Sequence, residues 1–170
     1  MAHFNKSDKG HVVCVVCDKP GAGVLEYADR YGVPKLLIDK ESLQNPAGLI
    51  EQLRNMGAEI LVLAGFLRLL PAELVQAFPK KIVNIHPSLL PKFGGKGMYG
   101  DRVHQAVIDA GDERSGITIH YVNEHYDDGA VLFQTECEVL PNDNVRSLAS
   151  RIHKLEHGHY PQQIEKLIND

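Results

Sequence analysis

The sequence has little cysteine and no long apolar segment. Three cysteines, an odd number, argue against a disulfide scaffold and favour a reducing compartment. The longest apolar run, residues 60–70, contains Arg68 and is too short to cross a membrane. Residues 1–10 are polar, so we expect no signal peptide. These absences predict a cytoplasmic protein that has no membrane partner.

Charge of one sign does not dominate either. The 18 basic and 22 acidic residues leave a net charge of −4, which argues against a general nucleic-acid surface. A content of 44% hydrophobic and 24% charged residues is ordinary for a globular protein. The length of 170 residues suits a single domain spanning 1–170, with residues 1–10 as a polar N-terminal segment. The sequence leaves open a homo-oligomer.

Two patterns that resemble metal sites carry little weight. Cys14 and Cys17 lie three residues apart in a run typical of a strand, so their sulfur atoms point to opposite faces. His153 and His157 are four residues apart in a predicted helix, but no carboxylate constellation or H-E-x-x-H pattern accompanies them. We therefore predict no metal site.

Apolar runs alternate with amphipathic stretches in the first half of the chain. The pattern predicts strands at 12–17, 34–38, 60–64 and 82–85, separated by helices at 24–31, 46–56 and 71–78. This alternation predicts an α/β fold with a mostly parallel twisted sheet and right-handed crossovers. The wholly apolar strand 60–64 is expected to have both faces covered by helices.

The second half is organised differently. We predict a helix at 102–110, strands at 117–122 and 131–139, and a long C-terminal helix. Pro161 should kink or split that last helix. Residues 94–100 contain four glycines, and this loop fits a lid or a phosphate site as well as it fits a surface turn.

Asn84 and His86 stand at the end of the strand that begins at Ile82. They are two residues apart, so both side chains leave the same face of an extended chain. Pro87 has no amide hydrogen and ends the strand, at the carboxyl edge where open α/β sheets bind ligands. On its own, an Asn-x-His pair is more often a buried strand with a hydrogen-bonded histidine.

Asp127 supplies a carboxylate in the loop after strand 117–122. Amide, imidazole and carboxylate together suit acyl transfer without a covalent enzyme intermediate. The Asn84 amide can hydrogen-bond a developing oxyanion, and His86 can move a proton at neutral pH. Asp127 can hold His86 and a water molecule, and its charge should raise the pKa of His86. No G-x-S-x-G pattern surrounds Ser88, so we predict no serine nucleophile.

Five motifs carry a resemblance to a known family. They are Ile85-His-Pro-Ser-Leu-Leu-Pro91, Leu63-Ala-Gly-Phe-Leu-Arg68, Gly116-Ile-Thr-Ile-His120, Tyr126-Asp-Asp-Gly129 and Glu156-His157. With them, the sequence from about Val12 onward resembles the phosphoribosylglycinamide formyltransferase family. That family transfers a formyl group from 10-formyltetrahydrofolate to the amine of glycinamide ribonucleotide in purine biosynthesis. The resemblance implies a Rossmann-like formyltransferase fold and this activity, with the folate as cosubstrate and no metal.

The resemblance also implies roles for individual residues. The catalytic set matches Asn84, His86 and Asp127. The folate pocket matches two segments. The first is mostly apolar and contains Leu67, Arg68, Leu69 and Leu70, and the second is the loop from about Val122 to Asp127. Pro87 and Glu156 match positions that contact the ribonucleotide. We expect His104 and His120, which lie near these positions, to be hydrogen-bonded histidines that have a structural role or support the catalytic residues, rather than catalysts themselves.

Two departures from the family are visible. The family's first strand, its phosphate-binding loop and the following helix match nothing here, and strand 12–17 corresponds to the family's second strand. Strands 12–17 and 60–64 should therefore pair directly, or another chain should fill the gap, and ribonucleotide binding should be weaker. Asp128 stands where many members carry glycine. Two alternatives remain open: a non-catalytic or fragmentary folate-binding module, and a formyltetrahydrofolate hydrolase.

Overall fold

Strands and helices alternate through most of the chain, of which a computed structural model describes residues 1–169. The strands are β1 (Val15–Cys17), β2 (Lys35–Leu37), β3 (Leu61–Leu63), β4 (Ile82–His86), β5 (Arg114–Tyr121) and β6 (Val131–Glu138). The helices are α1 (Gly23–Tyr31), α2 (Lys40–Gln44), α3 (Ala47–Asn55), α4 (Ala72–Ala77), α5 (Asp101–Asp109) and α6 (Val145–Asn169). None of these helices is long and apolar enough to span a membrane.

The strands form two groups. β1 and β2 pair in parallel, and a second sheet has the order β3-β4-β5-β6. β3 and β4 are parallel, whereas β4 and β5, and then β5 and β6, are antiparallel. Every strand of the first half thus takes part in a parallel pairing, and the predicted α/β class is confirmed. The antiparallel half brings β5 beside β4, which places the end of β5 next to the Asn84–His86 pair.

Of the two alternatives expected for the first and third strands, direct pairing does not occur in the described part of the chain, and the filling of the gap by another chain stays a prediction. Within residues 1–169, β1 pairs with β2 alone and β3 with β4 alone. The expectation that helices cover both faces of β3 is wrong, because the Val62 side chain is 41% exposed. Val16 on β1 is 38% exposed. An apolar composition therefore did not guarantee burial on these two short strands.

Two helices differ from what the sequence pattern predicted. Helix α2 is absent from the predicted helices, although Asp39 caps it by accepting a hydrogen bond from the Ser42 amide, in a reciprocal capping box. At the other end of the chain, α6 runs continuously through Pro161, so the helix is not split there, and the predicted kink stays a prediction. Tyr160 and Ile164 flank the proline and are buried, and this packing holds the helix together despite the missing amide donor.

Three apolar clusters hold the elements in place. The first lies under α3 and α4 and contains Leu43, Leu49, Leu53, Leu70, Leu74, Phe78 and Ile82. The second and third pack α6 against the central strands; they contain Val83, Ile119, Tyr160 and Ile164, and Val107, Ile117, Leu148 and Ile152. Phe4 of the N-terminal segment packs on the second cluster. As a result, α6 crosses the sheet close to the carboxyl ends of β3 and β4.

Candidate active site

A cleft of about 470 Å³ opens at the carboxyl ends of β3 and β4. Its walls come from the loop after β3, the end of β4, the glycine-rich loop, α5, the loop after β5 and α6. Six of the predicted site residues line it: Leu67, Asn84, His86, Pro87, Asp127 and Glu156. The fold therefore brings together residues separated by up to 89 positions in the sequence, from Leu67 to Glu156.

His86 is buried, and each of its ring nitrogens has a polar neighbour. Its Nε2 atom lies 2.8 Å from the carbonyl oxygen of Phe93, and its Nδ1 atom lies 3.4 Å from Asp127 Oδ2. A carbonyl oxygen only accepts hydrogen bonds, so the ring proton of neutral His86 resides on Nε2 and is donated to Phe93. Nδ1 then carries the lone pair, and this nitrogen is the one that can take up a proton.

The pKa of His86 is lowered, not raised as the sequence suggested. Burial disfavours the charged ring, and this effect outweighs the opposite influence of the Asp127 carboxylate and of the Phe93 carbonyl. The whole residue is only 4% exposed. His86 is therefore neutral at pH 7, with a free proton-accepting site on Nδ1.

Asp127 is held in the cleft by backbone and side-chain contacts. Its φ of +52° lies in the left-handed region, which few non-glycine residues adopt. The Gly95 amide donates a 2.9 Å hydrogen bond to Oδ2, and His120 Nε2 lies 3.6 Å from Oδ1. Burial alone would raise the pKa of Asp127, but its neighbours His120, His86 and the Gly95 amide together outweigh burial and lower it. Asp127 is therefore ionised at neutral pH.

Asn84 is oriented by His120. In the antiparallel register, Asn84 lies directly opposite His120. The Asn84 Nδ2 atom lies 3.2 Å from His120 Nε2, while His120 Nδ1 lies 2.9 Å from the Tyr121 carbonyl oxygen. The carbonyl oxygen can only accept a hydrogen bond, so the ring proton of neutral His120 resides on Nδ1. Nε2 is then unprotonated and accepts a hydrogen bond from the Asn84 amide. The second amide hydrogen of Asn84 stays available for a ligand.

Four predicted folate-pocket residues do not border the cleft in this structure: Arg68, Leu69, Leu70 and Val122. The guanidinium of Arg68 pairs with Asp18 at 2.8 Å. Leu69 is exposed, and Leu70 is buried in the first cluster, against which Val122 also packs. The side chains of these residues thus build the wall behind the cleft or face solvent, and their role in folate binding stays a prediction.

The α6 side of the cleft is polar. His153, Glu156 and His157 line it, and burial raises the pKa of the Glu156 carboxyl. The Tyr160 hydroxyl lies 2.7 Å from the carbonyl oxygen of Leu63 and 3.2 Å from that of Val83. These contacts fasten α6 to the strands that carry the rest of the site. Within residues 1–169, no group of three or more His, Cys, Asp or Glu side chains is arranged to hold a metal ion.

Two site groups were not foreseen from the sequence. Phe93 and Gly95 act through backbone atoms, which no side-chain pattern reveals. His120 has contacts that fit the supporting role expected of it, since it lies against Asn84 and near Asp127. His104 differs from the expectation of a hydrogen-bonded ring, because its Nδ1 atom has no partner among the described residues. Only the alternation of strand 117–122 gave a signal for His120, because it placed that ring on one face of the strand.

Comparison with known proteins identifies the family. The family described as "Formyl transferase" matches residues 1–164. The chain belongs to the formyl transferase family. A phosphoribosylglycinamide formyltransferase of Bacillus subtilis is 43% identical over 158 residues, which cover 91% of this chain and 78% of that protein. The resemblance drawn from the sequence motifs is therefore confirmed.

Two further formyl transferase relatives extend the comparison. The chloroplastic phosphoribosylglycinamide formyltransferase of Arabidopsis thaliana is 46% identical over 163 residues, covering 93% of this chain. The chain spans only 56% of that relative's length. A crystal structure of the enzyme from Anaplasma phagocytophilum superimposes with a TM-score of 0.89 at 32% identity, covering 99% of this chain and 78% of that one. This likeness confirms the formyltransferase fold.

Proposed function

We propose that this chain transfers a formyl group from 10-formyltetrahydrofolate to the amine of glycinamide ribonucleotide, a step of purine biosynthesis. The observation that carries the proposal is the chain of contacts from Asn84 through His120 and Asp127 to His86, in which Asn84, His86 and Asp127 line one cleft. An amide donor, a neutral imidazole and an ionised carboxylate face the same space. The named activity of the relatives from Arabidopsis thaliana and Bacillus subtilis supports this proposal.

Asn84 is the electrophilic group of the proposed site. His120 holds one amide hydrogen, so the other can donate to a carbonyl oxygen in the cleft. Such a donor strengthens its hydrogen bond as negative charge develops on that oxygen when an amine attacks. Because the amide is already oriented before the reaction, little reorganisation is needed at the transition state.

In the proposed reaction, His86 accepts the proton that the attacking amine must lose, and Asp127 stabilises the charge that results. Neutral His86 offers the lone pair of Nδ1, and the imidazolium that forms lies 3.4 Å from the carboxylate of Asp127. The carboxylate is already ionised and fixed by the Gly95 amide, so it stabilises this positive charge as it appears. His86 can then return the proton to the leaving group.

The cleft offers different surroundings to two ligands. Residues 64–67 form a largely apolar wall that suits a flat pterin ring, and the tetrahydrofolate carrier supplies the formyl carbon. The loop to Asp127 and the backbone near Arg68–Leu70 are the proposed folate contacts. Pro87 and Glu156 are the proposed contacts to the ribonucleotide, on the polar side formed by α6.

Alanine variants test the proposal. Replacing Asn84, His86 or Asp127 should each lower kcat by about 10²–10³, the usual loss for one transition-state contact. The three losses should not add, because the groups act as a unit. Asp128→Asn is the matched control: this neighbouring carboxylate is exposed and bonds only Asn123 among the described residues, so its rate should stay near wild type. A near-normal rate in any of the three variants would remove that residue from the mechanism.

A further inference from the structure

His104 is a buried histidine without a protein partner. It lies on α5, is 2% exposed and lines the cleft. Among residues 1–169, its Nδ1 atom is completely shielded and has no hydrogen-bond partner. Because Nδ1 is shielded and the residue lines the cleft, we assign Nε2 as the nitrogen that faces the cleft. An unpaired polar group in a binding cleft is typically satisfied by a ligand or by ordered water.

The surroundings of His104 define its chemical state. Its titratable neighbours are His153 on α6, Asp101 on its own helix and His86 on β4. Burial, followed by the charge of His153, lowers the pKa of His104, so the ring is neutral at pH 7. A buried N–H without an acceptor is costly, so the single ring proton belongs on Nε2. His104 thus presents an N–H donor to the cleft.

The ligand that His104 meets should be the polar one. Asp101 and His153 also border a second groove along α6, which Arg146 and Lys154 line. His104 thus adjoins a polar, basic part of the surface, whereas the apolar wall is built by residues 64–67. A ribonucleotide carries hydroxyl and phosphate oxygens that accept hydrogen bonds, and a pterin ring needs an apolar slot.

We propose that His104 binds the amine-bearing substrate, donating a hydrogen bond from Nε2 to one of its oxygen atoms, directly or through one water molecule. This proposal rests on the proposed function, because it takes glycinamide ribonucleotide as that substrate. His104 is a binding residue here and does not take part in the proton transfer assigned to His86. The alternative is a histidine that merely fills space between α5 and the sheet.

Three variants separate these roles. His104→Phe keeps a ring but removes the donor, whereas His104→Gln places an amide N–H near the position of Nε2. Val103→Ala is the control for packing, because Val103 is fully buried on the same helix and does not line the cleft. Calorimetry with glycinamide ribonucleotide and, separately, with tetrahydrofolate gives the two dissociation constants for each protein.

We expect His104→Phe to weaken ribonucleotide binding about tenfold, the loss that fits one net hydrogen bond. His104→Gln should recover most of that loss, Val103→Ala should show none of it, and tetrahydrofolate binding should be unchanged throughout. Equal ribonucleotide affinity in His104→Phe and wild type, or a parallel loss of tetrahydrofolate affinity, would overturn the proposal.

A measurement on the wild-type protein covers the case in which His104→Phe does not fold. The ¹⁵N spectrum of the histidine rings should show His104 protonated on Nε2 and should shift at that nitrogen when ribonucleotide is added. An unchanged His104 signal at saturation would overturn the proposal.

Failure of the proposed function can be distinguished from failure of the His104 proposal. If the wild type binds the ribonucleotide but transfers no formyl group, the proposed function fails while the binding results still decide the role of His104. If the ribonucleotide does not bind at all, both fail.

Discussion

The Nε2 atom of His86 donates its proton to the carbonyl oxygen of Phe93 across 2.8 Å. Phe93 stands at the start of the glycine-rich loop, and two residues later Gly95 donates to Asp127. One short backbone segment thus fixes the tautomer of the imidazole and the position of the carboxylate. We conclude that this loop is part of the site and not only a surface turn.

The charge of Asp127 should have a measurable effect on the pKa of His86. Burial lowers the pKa of His86 and Asp127 partly offsets that effect, so Asp127→Asn should lower the pKa further. If neutral His86 is the base, kcat/KM should fall as the pH drops through this pKa, below about 6.5. In Asp127→Asn the acid limb should move to still lower pH, at a reduced overall rate.

An NMR titration of the His86 ring, together with the pH profile of kcat/KM, checks this prediction. Glu124→Gln is the matched control, because it removes an exposed acid of the same loop that bonds Gln76. Its His86 titration should match wild type. A higher His86 pKa in Asp127→Asn would contradict the electrostatic account.

His120 should act through Asn84. Its Nε2 atom accepts from the Asn84 amide, so His120→Phe would leave that amide free to turn. We expect kcat to fall about 10- to 100-fold, less than for removal of the Asn84 donor itself, with little change in KM. His120→Gln, which can keep an acceptor near the same place, should recover part of the rate. Wild-type kcat in His120→Phe, or equal losses in both variants, would refute this positioning role.

Gly129 should be intolerant of a side chain. A Cβ atom at this position would lie 1.8 Å from the Tyr121 carbonyl oxygen, so the loop that carries Asp127 would have to move. Gly129→Ala should therefore lower kcat strongly and also lower the free energy of unfolding. Gly48→Ala, at a helical site with nothing within 4 Å, is the control and should be neutral or stabilising by about 0.5–1 kcal/mol. Equal activity of the two variants would show that the close approach is unimportant.

Much of the site was predictable because it follows from local rules. Strand alternation placed Asn84 and His86 on one face, and Pro87 marked the strand end. The D-x-x-S pattern at Asp39 could have revealed α2, since a capping box is a local signal. The role of His120 was not predictable in this way, because it depends on the register between β4 and β5. The edges of β1 and β3 that have no partner strand among residues 1–169 likewise depend on long-range pairing.

The pair formed by Asp143 and Arg151 should stabilise the start of α6. Two guanidinium contacts of 2.6 and 3.1 Å join them, and Asp143 also accepts from the Leu140 amide. Arg151 first, and then the other hydrogen bonds, lower the pKa of Asp143. Asp143→Asn should reduce the free energy of unfolding at pH 7 by about 1–3 kcal/mol.

The pH dependence of this loss has a definite sign. The pKa of Asp143 is lower in the folded state than in the unfolded chain. The stabilisation by ionised Asp143 is therefore complete above the ordinary aspartate pKa of about 3.9, and it disappears as the pH falls through the pKa of the folded state. Urea unfolding of wild type and Asp143→Asn should therefore converge in acid. Glu136→Gln removes a pair that is more than half exposed and should cost less than about 1 kcal/mol. A constant difference down to strongly acidic pH would contradict the assignment.

The central claim is formyl transfer to an amine, and one measurement addresses it most directly. The protein is incubated with 10-formyltetrahydrofolate, with and without glycinamide ribonucleotide, and the change in folate absorbance is followed. The account predicts turnover only when the ribonucleotide is present, and its loss in Asn84→Ala. Equal turnover without the amine would indicate a hydrolase, and folate binding without turnover would indicate a binding module; either result would contradict the account.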